Sequence, residues 1–326
     1  MKAVLCKAWG PPESLVFEER PSPRPKDDEV VITVDAAGVN FPDTLIIEGK
    51  YQYKPEFPFS PGAEVAGVIK EVGAKVTTFQ AGDVVAALGL WGAFAEEVAI
   101  TAKKCVKLPA SADRRVAAAF GLTYGTSYYA LKDRAMLQRG ESLLVLGAAG
   151  GVGLAAVELG RLMGARVIAA ASSDTKLATA REFGATDTIN YETEDLREAI
   201  KRLTDGKGVD VVYDPVGGRY TEPAVRGLAW KGRYLVVGFA AGEIPKIPLN
   251  LLLLKGASIV GVFWGSFTQQ EPDTNANNIA TLMQWVQQGK LRPLISKTYP
   301  LEQAALALRD LMERRAQGKI VLTVRG

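Results

Sequence analysis

Residues 142–164 read SLLVLGAAGGVGLAAVELGRLMG. The first part, SLLVLG (142–147), is short and almost wholly apolar, the pattern of a strand buried on both faces. A glycine-rich turn follows, Ala148-Ala149-Gly150-Gly151-Val152-Gly153, and then a helical stretch over 152–163. The turn is a variant of G-x-G-x-x-G in which Ala148 stands at the first glycine. Gly150 lets the backbone approach a pyrophosphate, and Gly153 lets the helix pack close to the strand. The helix start offers unpaired N–H groups and the positive end of its dipole to phosphates. Such a motif alone is weak. Its position between a strand and a helix makes it a dinucleotide site rather than a turn used only for packing.

Downstream, the same alternation continues. Strand candidates are RVIAAA (166–171), DTIN (187–190), DVVYD (210–214), RYLVVG (233–238) and SIVGVF (258–263). Helical candidates lie between them at 175–183, 194–204, 219–229 and 248–254. Apolar strands alternating with helices predict a parallel, doubly wound sheet covered on both faces. The strand RVIAAA ends without the acidic residue that NAD enzymes place there for the ribose 2′-hydroxyl. Ser172, Ser173, Asp174, Thr175 and Lys176 follow instead. Small hydroxyls and a lysine suit a 2′-phosphate, so NADPH is the expected cofactor. Asp174 reads as a helix cap, and the bland reading of Lys176 is a surface lysine.

The first part of the chain is β-rich, with EVVITVDAAGV (29–39), EVAGVIKEV (64–72) and DVVAAL (83–88) separated by glycine-containing breaks, which predicts a barrel-like unit. Near the end, TQQEPDTNAN (268–277) reads as a loop, followed by helices at 278–289 and 301–315 and a closing strand, KIVLTV. The net charge of +3 is too small to call for nucleic acid or a membrane surface. No apolar run has the length of a signal peptide or a membrane span, so a cytoplasmic location is expected. The chain has no histidine and two cysteines, Cys6 and Cys105. That removes imidazole bases and the commonest metal ligand, makes a catalytic zinc with about three protein ligands improbable, and leaves the hard chemistry to a cofactor.

At this point the chain resembles the quinone oxidoreductase, or zeta-crystallin-like, family of the zinc-independent medium-chain dehydrogenases/reductases. The marks are AAGVNFPDTLIIEGKY (36–51), PFSPGAEVAGVIKEVG (58–73), AGDVV (81–85), GAFAEE (92–97), YGTSYYAL (124–131), GAAGGVG (147–153), FGATDTINY (183–191) and GK (318–319). GLAWKGRYLVVGFAAG (227–242) and LLLLKGASIVGVFWG (251–265) look closest to the quinone oxidoreductase-like protein 2 subgroup. Zinc-dependent relatives carry Cys where this chain has Asn40 and His where it has Ala63, with their third ligand near Leu122. Their cysteine-rich loop is absent between Gly89 and Glu97. The resemblance therefore implies no metal. It implies a GroES-like β-barrel catalytic domain, 1–120 completed by 265–326, and a Rossmann domain, 121–264. It also implies a homodimer through the Rossmann edge strand SIVGVF.

Residue roles follow from the same resemblance. Ala149, Gly150, Gly151, Val152 and Gly153 would hold the pyrophosphate. Ser172, Ser173, Lys176 and Tyr191 resemble the adenosine 2′-phosphate site. Gly238, Phe239 and Ala240 resemble the loop near the nicotinamide half, and Phe263, Trp264 and Gly265 the segment that meets the carboxamide through backbone atoms. Thr126 lies where the family has a hydroxyl beside the nicotinamide ring. Asn40 and Tyr51 resemble polar groups lining the substrate site. Against these stand packing roles for the aromatics, a loop bond within its own backbone for Asn40, and helix capping for Thr126 and for Asp43, which receives no chemical role. The expected activity is hydride transfer from NADPH to a quinone. The alternatives are an enone, alkenal or enoyl-thioester reductase, and an NADPH-binding protein with structural or RNA-binding work.

Overall fold

A computed structural model describes residues 1–325, in two units: Met1–Leu122 with Pro293 onward, and Thr123–Arg292. The first begins with strands β1 (Lys2–Leu5), β2 (Val16–Glu19), β3 (Glu29–Val39), β4 (Glu64–Val72), β5 (Val84–Leu88), β6 (Glu97–Thr101) and β7 (Cys105–Lys107). Helix α1 (Phe41–Ile47) follows β3, and α2 (Arg114–Ala117) and α3 (Gly121–Tyr128) follow β7. Then come β8 (Ser142–Leu146), α4 (Gly151–Leu162), β9 (Arg166–Ala171), α5 (Asp174–Glu182), β10 (Asp187–Asn190) and α6 (Leu196–Leu203). The series continues with β11 (Val209–Asp214), α7 (Thr221–Arg226), β12 (Leu228–Val236), α8 (Asn250–Lys255), β13 (Ser258–Gly261), α9 (Trp264–Gln270) and α10 (Pro272–Gln287). The chain closes with β14 (Ile295–Pro300), α11 (Ala304–Met312) and β15 (Lys319–Thr323).

The second unit is the doubly wound sheet expected, all parallel in the order β10-β9-β8-β11-β12-β13. Leu143, Leu144, Val145 and Leu146 of its central strand are fully buried, as a strand covered on both faces requires. Each such side chain contributes about 1.5–3 kcal/mol of burial. In the first unit, strands run in the order β14-β15-β3-β4-β5-β7, with β6 also on β3. Two registers matter for the site. Ile320 pairs with Val39, which sets Lys319 beside Asn40, and Glu64 pairs with Gly38. Among the described residues no helix is long and apolar enough to cross a membrane.

The polar stretch 268–277 is not the loop that its composition predicts. It forms the end of α9 and the start of α10. Pro272 sits at the first turn of α10, where its missing N–H costs nothing. Tertiary contacts hold the pair. Phe267 stacks on Tyr129 at 4.0 Å, Trp285 meets Tyr128 edge-on at 5.4 Å, and buried Asn278 bonds both Lys132 and Asp133. Those partners all lie at the end of α3 or just after it. For the same reason residues 265–292 group with the second unit rather than completing the first, and only the segment from Pro293 onward returns. Phe267→Ala should therefore lower unfolding stability by about 3 kcal/mol or more, read from denaturant titration. A change below about 0.5 kcal/mol would show that this packing does not hold α9 in place.

Candidate functional site

In the second unit, β8 ends in Leu146 and the chain turns at Gly147, whose φ of +59° favours glycine. Gly150 is the N-cap of α4. A Cβ on Gly153 would lie 2.2 Å from the Gly147 carbonyl oxygen, so helix and strand approach more closely than any side chain allows. Ala149 through Gly153 thus form a small-residue cradle whose first-turn N–H groups have no partner inside the helix. Ser127 anchors the cradle: its Oγ donates to the Val152 carbonyl at 2.8 Å and lies 2.9 Å from the Tyr213 hydroxyl. Nothing in the YGTS motif by itself distinguishes this buried serine from its neighbours.

Beyond β9, Ser173 caps α5 with its Oγ on the Lys176 N–H, and the Lys176 ammonium lies 3.1 Å from the Ser172 hydroxyl. Tyr191 donates its backbone N–H to Ala171, which brings it beside Ser172. Its ring packs on Tyr220 at 4.2 Å, and the Arg219 guanidinium covers the Tyr220 ring at 4.9 Å. Asp174, the one carboxylate in this run, accepts from the Asn190 amide at 2.9 Å. The four expected residues therefore share one corner, joined by Asn190, Arg219 and Tyr220, which sequence reading did not single out.

Gly238, Phe239 and Ala240 follow β12, and the Ala240 N–H donates to Pro215 in the turn after β11. A cavity of 260 Å³, walled mainly by apolar side chains, borders Gly238 and Phe239 but none of the glycine turn. Thr126 lies inside α3, half-buried, and so is not a helix cap. Trp264 opens α9 and is buried against Gly125, where a Cβ would come within 2.4 Å of its ring. Its indole N–H donates to Asn275. The Trp264 side chain thus packs within the second unit, which leaves the backbone contact implied by the resemblance untouched. Phe263 is exposed, and Gly265 is half-buried.

The first unit holds a buried polar cluster. Asn40, Asp43, Glu64 and Lys319 are each no more than 4% exposed. The Lys319 ammonium donates to the Val39 carbonyl at 3.1 Å, to Glu64 Oε2 at 3.2 Å and to Asn40 Oδ1. Asn40 Nδ2 donates to Glu64 Oε2 at 3.1 Å and, more loosely, to the Gly38 carbonyl at 3.4 Å. Glu64 Oε1 accepts the Leu122 N–H at 3.0 Å. Gly38 is required: a Cβ there would meet the Ala118 carbonyl at 2.0 Å and the Glu64 carboxylate at 2.8 Å. Asp43 accepts the Asn40 backbone N–H at 2.8 Å, half of a capping box at the start of α1. Burial pushes its carboxyl up to about 7, only partly offset by the Asn40 bond and Lys319. Tyr51 packs at the edge of this unit's core, 5.9 Å from Tyr53. Burial, then Tyr53 and Asp43, raise its hydroxyl, so it stays protonated and can donate. Sequence reading named Asn40 and Tyr51 but not Lys319 or Glu64. Both lie in quoted motifs, GK and PGAE, yet only the strand registers bring them together.

Comparison with known proteins gives consistent neighbours. Residues 26–110 match the alcohol dehydrogenase GroES-like domain, and residues 151–286 match a family described as zinc-binding dehydrogenase. The chain is 39% identical to the quinone oxidoreductase-like protein 2 homolog of Nematostella vectensis, covering 99% of this chain and 89% of that one. It is 35% identical to the quinone oxidoreductase of Homo sapiens, covering 99% and 97%. The structure of Escherichia coli quinone oxidoreductase complexed with NADPH superimposes with a TM-score of 0.94 at 30% identity, covering 99% and 100%. The zinc in the second family's description does not fit these residues. The chain has no histidine, and among the described residues no three His, Cys, Asp or Glu side chains could hold a metal. Asn40, the residue at one expected ligand position, already has an ammonium on its side-chain oxygen.

The raised Asp43 has a measurable consequence. Between its ordinary 3.8 and about 7 the native state holds a proton that the unfolded chain has released. Its contribution to stability is therefore present below 3.8 and is lost as pH rises toward 7. Asp43→Asn keeps an acceptor for the Asn40 N–H but cannot titrate. Its unfolding free energy should fall less from pH 4.5 to 7.5 than that of the parent, by denaturant titration at each pH. Parallel curves would mean that Asp43 is ionised across this range.

Proposed function

The chain belongs to the quinone oxidoreductase family of the medium-chain dehydrogenases/reductases, and we propose that it reduces quinones with NADPH, without a metal. The observation that carries this reading is the corner at the end of β9. There Ser172, Ser173, Lys176 and Tyr191 gather donors and a positive charge, and the two nearby carboxylates are tied up, Asp174 by Asn190 and Glu192 by Arg219 and Tyr220. A 2′-phosphate is the group such a corner suits. The small-residue cradle at Ala149–Gly153 fits the pyrophosphate, because Gly153 lets α4 start close against the end of β8, with its first-turn N–H groups free of partners inside the helix. When bound, NADPH supplies a hydride from its nicotinamide C4. Gly238, Phe239 and Ala240 would line the nicotinamide half, Phe263, Trp264 and Gly265 would meet it through backbone atoms, and Thr126 would place its hydroxyl beside the ring.

In the first unit, Asn40 and Tyr51 would hold the acceptor oxygen through N–H and O–H donors. Positioning donor and acceptor is where a site without histidine or metal gains most of its rate. A quinone needs no strong acid, since the hydroquinone anion is a stable product. The proton comes from the protonated Tyr51 hydroxyl or from solvent.

We assign a homodimer to this chain on the following grounds. Among the described residues β13 ends its sheet and pairs only with β12, which leaves an open strand edge. Apolar side chains stand exposed on that strand and on the preceding segment: Ile259, Ile244, Leu249, Leu253 and Leu254. Leu253, at 81% exposure, is unusual for a leucine without a partner surface. Ile259→Lys should shift the sedimentation coefficient from dimer to monomer. A monomeric parent would dismiss the assignment.

The function is tested by following NADPH and NADH oxidation against ortho- and para-quinones, 2-alkenals, enones and enoyl-CoA esters. Quinone turnover with NADPH preferred is expected. Lys176→Ala should weaken NADPH binding by about 10-fold or more and leave NADH binding within about 2-fold, since one charge-assisted bond is lost. Selective turnover of an alkenal or enoyl-CoA would replace the substrate class, and equal losses for both cofactors would remove Lys176 from the 2′-phosphate site.

A further inference from the structure

We infer that Lys319 and Glu64 are positioning residues that lock the Asn40 carboxamide in one of its two flip states, leaving it an N–H donor for the acceptor oxygen. The inference rests on the quinone reductase reading and extends it to two residues that touch neither cofactor nor acceptor.

A carboxamide presents an acceptor oxygen on one side and a two-hydrogen donor on the other. Flipping it exchanges the two. An ammonium can only donate and a carboxylate can only accept. Here the ammonium of Lys319 faces Oδ1, and the carboxylate of Glu64 faces Nδ2 at 3.1 Å. In the flipped state donor would face donor and acceptor would face acceptor, both out of water. The backbone adds to the lock. The Asn40 N–H is held by Asp43 at 2.8 Å, and the Val39 carbonyl takes a further Lys319 hydrogen at 3.1 Å.

The lock leaves Asn40 little to offer a ligand, and what remains has one sign. Oδ1 is taken by Lys319, and one Nδ2 hydrogen is taken by Glu64. The other reaches the Gly38 carbonyl at 3.4 Å, near the outer limit of a hydrogen bond, so it is the hydrogen most easily surrendered. The ammonium on Oδ1 polarises the amide and strengthens its N–H as a donor. A quinone oxygen gains negative charge as it is reduced, and a donor aimed at it stabilises that change. An Asn free to flip would present its oxygen part of the time and repel the same charge.

Lys319→Met alone strands a buried carboxylate and can unfold the chain for that reason. The informative variant is Lys319→Met with Glu64→Gln, which removes both charges and keeps the side-chain volumes close. It should unfold within a few degrees of the parent and bind NADPH with unchanged affinity by fluorescence titration. Its kcat with quinone should fall about 10-fold or more, as for removal of one transition-state donor. Asn40→Ala should fall by a similar factor, and combining it with the double change should add less than 2-fold, since both act through one group. Lys319→Arg, which keeps a donor-only cation, should retain more of the parent kcat than the double variant. A folded double variant with kcat within 2-fold of the parent, or losses that multiply with Asn40→Ala, would overturn the inference.

A second readout needs no turnover. The Asn40 side-chain amide pair in ¹⁵N–¹H spectra, assigned by its disappearance in Asn40→Ala, should be shifted in the double variant and exchange faster with solvent. An unchanged pair would overturn the lock even in an active enzyme. If the parent turns over no quinone while the pair shifts as expected, the lock stands and the quinone reading falls.

Discussion

A buried ammonium must be ringed by acceptors, and in this chain that demand organises the first unit around Lys319. Its three hydrogens go to Val39, Asn40 and Glu64. Those acceptors belong to β3, the turn after it and β4, so the last strand is tied to two earlier ones by charge as well as by backbone pairing. Neither charge of the pair is separately removable at low cost. Taking away one partner of a buried pair leaves the other unpaired in a poor solvent, typically at about 3–5 kcal/mol. Gly38 follows from the same demand, because the space beside the Glu64 carboxylate cannot also hold a Cβ.

The second unit solves a different problem. A phosphate needs N–H donors without side chains in the way, and the ends of parallel strands feeding helices provide them. Gly153 allows the close approach, and the buried pair Ser127 and Tyr213 fixes the cradle by holding the Val152 carbonyl. The corner beyond β9 is softer and more exposed. There the chemistry is set by what is present, Ser172 and Lys176, and by the diversion of Asp174 onto Asn190. The two units thus use buried charge in one case and bare backbone in the other.

One expectation drawn from sequence fails for an identifiable reason. The stretch 268–277 carries polar residues and a proline, which argue for a loop. It is helical because Phe267 and Asn278 find partners on the segment after α3, and contacts of that kind leave no mark in local composition. For Asn40 the structure adds partners that its residue type does not reveal, Glu64 on its Nδ2 and Lys319 on its Oδ1. The Trp264 ring is buried on Gly125, a contact that its residue type does not reveal. Residue type alone leaves open how much of a polar or aromatic group is engaged by its own fold.

What the sequence by itself determined is whatever depends on neighbours along the chain. The apolar runs SLLVLG and RVIAAA, the small-residue turn at 148–153 and the alternation of strand and helix follow from local periodicity, and the absence of histidine follows from composition. The tertiary structure decided whatever depends on residues far apart in the chain. Lys319 meets Asn40 across 279 positions, and Glu64 meets Lys319 across 255, through the registers of β15 on β3 and of β3 on β4. Strand register is a property of paired backbones, and a shift by one residue would turn Lys319 to the opposite face of the sheet.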